Sequence, residues 1–274
     1  MTIRFHRIAL AGAAGLVLCT MSGAFAGARV ELSALGGKHV ISKAMIKARP
    51  GDTLLLDDGV YKDHLSIKEG VTVKARNRGK ARLNGMGRGT AVIMGTNSTI
   101  DGLEIYNATI GVFSRNGNVT IKNCLIYKNW MTGIIAVRQL PKIEDNVIAF
   151  NRSSGIQLWD SRSVNASINH NTVAFNGNHG IAVGGSSNVV VENNVIADNQ
   201  RYGMKVSQES SVKSNITKNN FWQNGIRGQQ IKDNYSFDPA FMSARGMLDF
   251  RPDPRECCSI KGSDNQNLGA RFDF

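Results

Sequence analysis

The sequence predicts an all-β solenoid, a chain wound into stacked coils of short parallel strands, and three features of its middle carry that expectation. The first is a repeat: units opening at Ile121, Ile143, Ile168, Val191 and Ile216 follow one another at intervals of 22, 25, 23 and 25 residues. The second is a pair of polar columns inside it. Cys124, Asn146, Asn171, Asn194 and Asn219 lie three positions after each start, and Asn129, Asn151, Asn176, Asn199 and Asn224 lie eight after. The third is a glycine at the twelfth position, Gly133, Gly155, Gly180, Gly203 and Gly228, followed in the first four units by Ile134, Ile156, Ile181 and Met204. The apolar runs in each unit alternate with a period of two, and none is long enough for the helix of a leucine-rich or ankyrin unit. Parallel strands stacked about 4.8 Å apart would let matching Asn side chains hydrogen-bond along the axis while their backbones turn, and the glycine is expected to permit the bend into the next strand.

Each segment follows in order. Residues 1–26 read as a secretory leader: Arg4 and Arg7 precede the apolar run Ile8 to Leu18, and Ala24-Phe25-Ala26 is a small-residue cleavage site. The mature chain is expected to begin at Gly27 and to be periplasmic or secreted. The leader's run is too short to span a bilayer, and no later segment supplies a membrane span. Residues 39–48 place Val40, Ile41, Ala44, Met45 and Ala48 at helical spacing, which suits a short helix capping the open end of the stack. Regular coils then run from about 50 to 230, with Ile100 to Ile105 as an earlier copy of the unit, giving about eight coils. Residues 231–274 lose the repeat and form an irregular tail. No Pro-, Gly- or Ser-rich linker divides residues 27–274, so one domain is expected.

Composition agrees with this reading. The chain has 29 Gly, 5 Pro and 26 Asn among 274 residues, a usage that favours tight turns over long helices. Without the leader, 31 basic residues stand against 21 acidic, a net charge of +10. That balance favours a polyanionic partner, and no nucleic-acid-binding motif accompanies it. Residues 38–88 hold twelve Lys or Arg against five Asp or Glu. Lys74, Arg76, Arg78, Lys80 and Arg82 alternate as they would along one side of extended backbone, or they belong to a solvated turn. Three cysteines remain, Cys124, Cys257 and Cys258, an odd number that cannot build a disulfide framework; the adjacent pair is expected to hold reduced or partly buried thiols rather than a strained vicinal disulfide. No His/Cys cluster has metal-ligand spacing, so neither a metal nor a cofactor is assigned.

On these registered repeats, residues 50 to 230 resemble the right-handed parallel β-helix proteins, a family that includes pectate lyases, polygalacturonases and mannuronan C5-epimerases. Pro50-Gly51-Asp52-Thr53-Leu54 is similar to the first coil of exported members, and Asp238-Pro239-Ala240-Phe241 to their C-terminal tail. The resemblance implies the fold strongly and the activity weakly, because function resides in sites grafted onto it.

Candidate chemistry lies on the strand after each glycine. Ile134 and Ala136, Ile156 and Leu158, Ile181 and Val183, and Met204 and Val206 are expected inside. Gln157 and Trp159, Ala182 and Gly184, and Lys205 and Ser207 are expected outside. Small Ala182 and Gly184 would leave a depression beside Trp159, whose ring either stacks on a pyranose or packs against a loop. Residues preceding the glycines form the column Thr132, Ser154, His179 and Tyr202, with Arg201 and Lys205 alongside. Removing the C5 proton of a uronate needs a base, a cation for the carboxylate and a proton donor. His179 as base, Tyr202 as donor and Arg201 or Lys205 as neutraliser supply these; alternatively His179 only bonds to neighbouring backbone. Arg138 and Asp160, at equivalent offsets, would form a surface ion pair beside the groove, and His170 is expected to be structural.

Asn178-His179-Gly180-Ile181 is similar to the segment carrying the cleft histidine of mannuronan C5-epimerases, and His179 to Gly184 to the His-Gly run of polygalacturonases. The polygalacturonase Asp pair is replaced by Ser153 and Ser154, which disfavours hydrolysis, and the epimerase Asp-Pro-His-Asp string is absent. Only Asp160 lies near the groove, against the clustered carboxylates of calcium-dependent pectate lyases. The expected function is non-hydrolytic action on an acidic polysaccharide, by β-elimination or C5 epimerisation. Its competitors are a non-catalytic polysaccharide-binding or export-assisting solenoid and a periplasmic accessory protein of metal-enzyme maturation.

Overall fold

In the computed structural model, which describes residues 19–20, 27–115, 117–160, 162–185, 187–207, 215–225, 232–252 and 261–271, the chain is a parallel β-solenoid with three walls. The first wall has ten strands, the second eight and the third seven, each stacking on its counterpart one coil away. All pairings within the stack are parallel, apart from residues 19–20, which pair antiparallel with the first strand at Arg29–Leu32. The rest of the expected leader, together with Gly228, Cys257 and Cys258, lies outside the described residues.

Strand register stacks like on like. Ile100, Ile121, Ile143, Ile168, Val191 and Ile216 run in line along the first wall. Ile105, Ile126, Ile148, Val173 and Ile196 do so along the second, and Val112, Ile134, Ile156, Ile181 and Met204 along the third. Except for Ile216, these side chains are buried in one continuous core. Branched side chains suit this pleated interior because their restricted rotamers pack repeatedly against identical neighbours. Val206, expected inside, is 36% exposed, because no described strand stacks on the far side of its own.

At the corners, the two asparagine columns form continuous amide ladders. Asn146 Nδ2 donates to Asn171 Oδ1 (2.9 Å), Asn171 to Asn194 (3.0 Å), Asn194 to Asn219 (2.8 Å) and Asn219 to Asn234 (2.9 Å). The second ladder runs through Asn129, Asn151, Asn176, Asn199 and Asn224. Each receiving Oδ1 also accepts the backbone N–H of the asparagine one coil away, as Asn171 Oδ1 does from Asn146. Cys124 occupies the first rung with a backbone bond to Asn146 Oδ1, and burial pushes its thiol up to about 12.

The residue before each ladder asparagine, rather than the glycine, adopts the left-handed conformation: Asn123, Asp145, His170, Asn193 and Lys218 at one corner, Lys128, Phe150, Phe175, Asp198 and Gln223 at the other. Gly111, Gly133, Gly155, Gly180 and Gly203 keep ordinary φ. Close approach is what requires them: a Cβ at Gly133 would lie 2.7 Å from the Gly155 carbonyl oxygen and 2.8 Å from Asn151 Nδ2.

The capping helix spans Val40–Lys47 and buries Ile41 and Met45 against the first coil. Asp63 holds its start, accepting from the Ser42 N–H (3.0 Å) and hydroxyl (2.7 Å). The described tail runs along the outside of the second wall, where Phe241, Ala244 and Phe250 pack on Tyr127, Ala149 and Ala174. His170 anchors it, with Nε2 2.7 Å from Asp264 Oδ2 and Nδ1 3.1 Å from the Asn267 carbonyl, and Arg271 makes two bonds to Asp145.

The basic run does not share one side. Lys74 stands on the first wall and Arg82 on the second, because the chain turns between them. Three of its five members are also neutralised: Lys74 by Asp101 (3.3 Å), Arg76 by Glu31 and Asp57, and Arg82 by Glu104 (2.9 Å).

Replacing Asn171 by Ala strips buried partners from Asn146 Nδ2 and the Ile143 carbonyl. It should destabilise the fold by about 3 kcal/mol, each orphaned group costing about 1–3 kcal/mol. The same change at Asn234, the half-buried last rung, should cost less than half as much. Denaturant unfolding of both variants checks this, and equal losses would contradict it.

Candidate functional site

The corner where the second wall turns into the third gathers the most reactive side chains. Coils are in register there, so three rows run parallel to the axis: Trp130, Arg152, Gly177 and Gln200; Met131, Ser153, Asn178 and Arg201; and Thr132, Ser154, His179 and Tyr202. The backbone holds them in line, with Gly133, Gly155 and Gly180 N–H donating to the carbonyls of Ser154, His179 and Tyr202.

His179 and Tyr202 are neighbours, with ring centroids 5.4 Å apart and planes inclined at 30°. The imidazole is 6% exposed, and its Nδ1 accepts the Tyr202 backbone N–H at 3.3 Å. A backbone amide can only donate, so Nδ1 carries the lone pair and the neutral ring presents Nε2–H. The expected base is thereby a proton donor at its free nitrogen. Burial first, then the charges of Lys205 and Arg201, hold this imidazole below its ordinary value of 6.5. It is neutral at pH 7. Because the folded chain takes up this proton less readily than the unfolded one, the group lowers stability only as pH falls below about 6.5, and the loss levels off beneath the folded-state value. Asn178 Oδ1, beside the pair, is buried with no hydrogen-bond partner among the described residues.

Not every predicted residue joins this cluster. Gln157, Ala182 and Lys205 form the first outward row of the third wall, one strand beside the next. Trp159 and Gly184 pair further along. Trp159 lies five strand residues from the His179 row, about 16 Å at 3.3 Å per residue. Its ring covers the expected depression, since a Cβ on Gly184 would lie 2.8 Å from it, and the indole is 48% exposed. Asp160 and Arg138 sit at that far corner, both with positive φ. They form no ion pair with each other among the described residues: Arg138 instead donates its backbone N–H to the Trp159 carbonyl. The structure thus brings together His179, Tyr202, Arg201 and Lys205, sets Gln157 two strands from Lys205 on the adjoining row, and leaves Trp159, Asp160 and Arg138 apart.

Sequence reasoning missed three residues on the same corner. Trp130 and Met131 are 53% and 49% exposed, and the Arg152 guanidinium stacks 5.0 Å above the Trp130 ring. Their signal was positional: they stand one and two places upstream of the Thr132 column, on a row whose outward face only the turn geometry reveals. A cation beside an exposed aromatic face suits the apolar face and carboxylate of an acidic sugar.

The ring nitrogens give a direct check. Nitrogen-15 resonances of His179 should report the Nε2–H tautomer and a titration midpoint below 6.5, and Lys205→Met should raise that midpoint. A proton on Nδ1, or a midpoint above 6.5, would contradict the arrangement.

Comparison with known proteins places this geometry in context. Residues 90–239 match the family model described as the right handed beta helix region. An alginate lyase from Paenibacillus sp. strain FPU-7 is similar in structure, with a TM-score of 0.53, 18% identity, and coverage of 72% of this chain and 77% of that one. The A-module of the mannuronan C-5 epimerase of Azotobacter vinelandii gives 0.53 and 18%, over 68% of this chain and 66% of that one. Pectate lyase Pel9A gives 0.51 and 14%, over 89% and 96%. No curated protein sequence matches significantly. At such identities the structural likenesses establish the fold alone. The family match spans more than half the chain, and together with the three-walled parallel stack it shows that the chain belongs to the right-handed β-helix family.

Proposed function

We propose that the protein is exported and acts on a uronate-containing polysaccharide without hydrolysis, by β-elimination or C5 epimerisation. The observation that carries this reading is the His179–Tyr202 pair set beside Arg201 and Lys205 on one open corner. The Paenibacillus alginate lyase, the Azotobacter mannuronan C-5 epimerase and pectate lyase Pel9A support the substrate class by their activities. The leader-like pattern of residues 1–26 supports export.

Hydrogen bonding apportions the roles. Loss of the C5 proton puts negative charge onto the adjoining carboxylate, where Arg201 and Lys205 stabilise it. His179 Nε2–H is a donor, so Tyr202, acting as the phenolate, takes the C5 proton and becomes the phenol, the reverse of the roles expected from sequence. In elimination the electron pair of the broken C–H bond becomes a C4–C5 double bond, the C4–O bond breaks, and the leaving oxygen takes a proton from His179 Nε2, which regains one from the newly formed Tyr202 phenol, restoring the phenolate. In epimerisation a proton from water is delivered to C5 on the opposite face, and the proton held by Tyr202 is released to water. The row of Ser153 and Ser154 supplies no carboxylate, and Asp160 stands at the far corner. The paired carboxylates of glycoside hydrolysis are therefore missing among the described residues of this corner.

A binding-only solenoid is the second reading, favoured by the exposed Trp130 beneath Arg152. Incubation with polymannuronate, polyguluronate and polygalacturonate separates the two. New ultraviolet absorbance from unsaturated ends, or exchange of the C5 proton, is expected, with Tyr202→Phe and His179→Gln each lowering the rate by about 100-fold or more, the scale of general acid–base catalysis. Rates untouched by either substitution would refute the site, and retained binding with neither signal would establish the second reading.

A further inference from the structure

A second site lies on the same corner at the other end of the stack. A cavity of about 500 Å³, within the range of small-molecule pockets, is lined by Lys38, His39, Lys62, Asn84, Met86, Arg88 and Asn107. Lys62, Asn84 and Asn107 come from successive second-wall strands or the turns after them, Met86 and Arg88 from the loop leaving Asn84, and Lys38 and His39 from the entrance to the capping helix.

The charge of this cavity is uncompensated. Lys38, Lys62 and Arg88 are exposed and make no ion pair among the described residues, in contrast to Lys74, Arg76 and Arg82 a few residues away. Among the described residues, only His39 of the cationic or titratable lining groups has a carboxylate partner: its Nδ1 lies 3.1 Å from Asp63 Oδ1, and Asp63 is 1% exposed and otherwise committed to the helix start through Ser42 and to the His64 N–H. Unpaired cations converging on one concavity raise the local concentration of anions.

Beside those cations sits an amide pair with spare capacity. Asn84 Oδ1 accepts the Met86 N–H and Asn107 Nδ2, both at 2.9 Å. No described group uses Asn84 Nδ2 or Asn107 Oδ1, leaving one donor and one acceptor for a ligand. Cations for a carboxylate, an amide donor and acceptor for hydroxyls, and the Met86 side chain against an apolar ring face together describe an acidic sugar better than a bare inorganic anion.

We propose that this cavity anchors a uronate residue of the polymer whose other residues reach His179 and Tyr202, an inference that rests on the proposed substrate class. Four strand spacings separate the second-wall strand of Asn84 from the one preceding His179, about 19 Å at 4.8 Å each. Trp130 and Arg152 lie on the same corner between them. A polymer laid along the corner would meet cation, aromatic and cation again before the reactive pair.

Calorimetric titration tests this without turnover. The full chain and a Lys62→Gln, Arg88→Gln double variant, both sites being exposed, are titrated with hexamers of polymannuronate, polyguluronate and polygalacturonate, with a neutral glucan hexamer and with sodium sulfate. At least one acidic hexamer should bind the unmodified chain, the neutral hexamer should not, and the double variant should weaken acidic binding by about tenfold or more at an unchanged melting temperature. Acidic binding indifferent to the double substitution, or sulfate as the sole ligand that it affects, would overturn the anchor, as would failure of every acidic hexamer to bind. A protein that binds through Lys62 and Arg88 yet shows neither absorbance nor C5 exchange would refute the chemistry at His179 and leave the anchor standing. An active protein whose hexamer affinity ignores the double substitution would refute the anchor alone.

Discussion

The amide-to-amide bonding of stacked asparagines is the constraint on which the rest of the molecule depends. Every corner that carries a ladder places a non-glycine residue in the left-handed region immediately before it, at a cost of about 1–2 kcal/mol for an L-residue. Even Phe150 and Phe175 adopt it. The ladder makes that bend tolerable because each amide satisfies the buried backbone groups the bend would otherwise leave without partners. It also fixes register. A coil that slipped by one residue would lose amide, backbone and core contacts together, so equivalent positions remain in line over successive coils.

Register is what makes a functional surface from dispersed residues. His179 and Tyr202 are 23 residues apart in sequence, yet one rung apart in space. Three surfaces share the remaining polar and apolar burden differently. The first wall alternates Lys74, Asp101, Lys122 and Glu144 in a largely self-neutralising row. The tail covers the second wall from Leu125 to Ala197. On the corner between the second and third walls stand Lys38, Lys62, Arg88 and Arg201, with Lys205 on the adjoining third-wall strand and Trp130 along the same line. Part of the chain's positive charge thus lies beside the exposed aromatic ring and the shielded imidazole.

Much of the architecture was legible because it repeats. Asn146, Asn171 and Asn194 announce the ladder by recurring at a fixed offset, and Ile41 and Met45 announce the capping helix by their spacing. Features that depend on a single three-dimensional contact were not. The glycine column was visible, but its reason, that a Cβ at Gly133 would lie only 2.7 Å from the Gly155 carbonyl oxygen, is a packing fact rather than a turn preference. Lys74 to Arg82 could be read as one stripe or as a turn between strands, because alternation alone does not show where the chain bends, and the structure has the turn. The His179 and Tyr202 column was readable from offsets, whereas the tautomer that reverses their roles depends on one backbone N–H. Trp130 and Arg152 went unnoticed because the turn, not the strand, decides which way they face.

Native-state hydrogen exchange tests the ladder most directly. The backbone amides of Asn146, Asn151, Asn171, Asn176, Asn194 and Asn199 lie in corners, yet each donates to an asparagine side chain one coil away. They should exchange as slowly as the strand amides around them, opening only with global unfolding. Exchange at the rate of exposed turn amides would mean that the side-chain stack does not hold the corners.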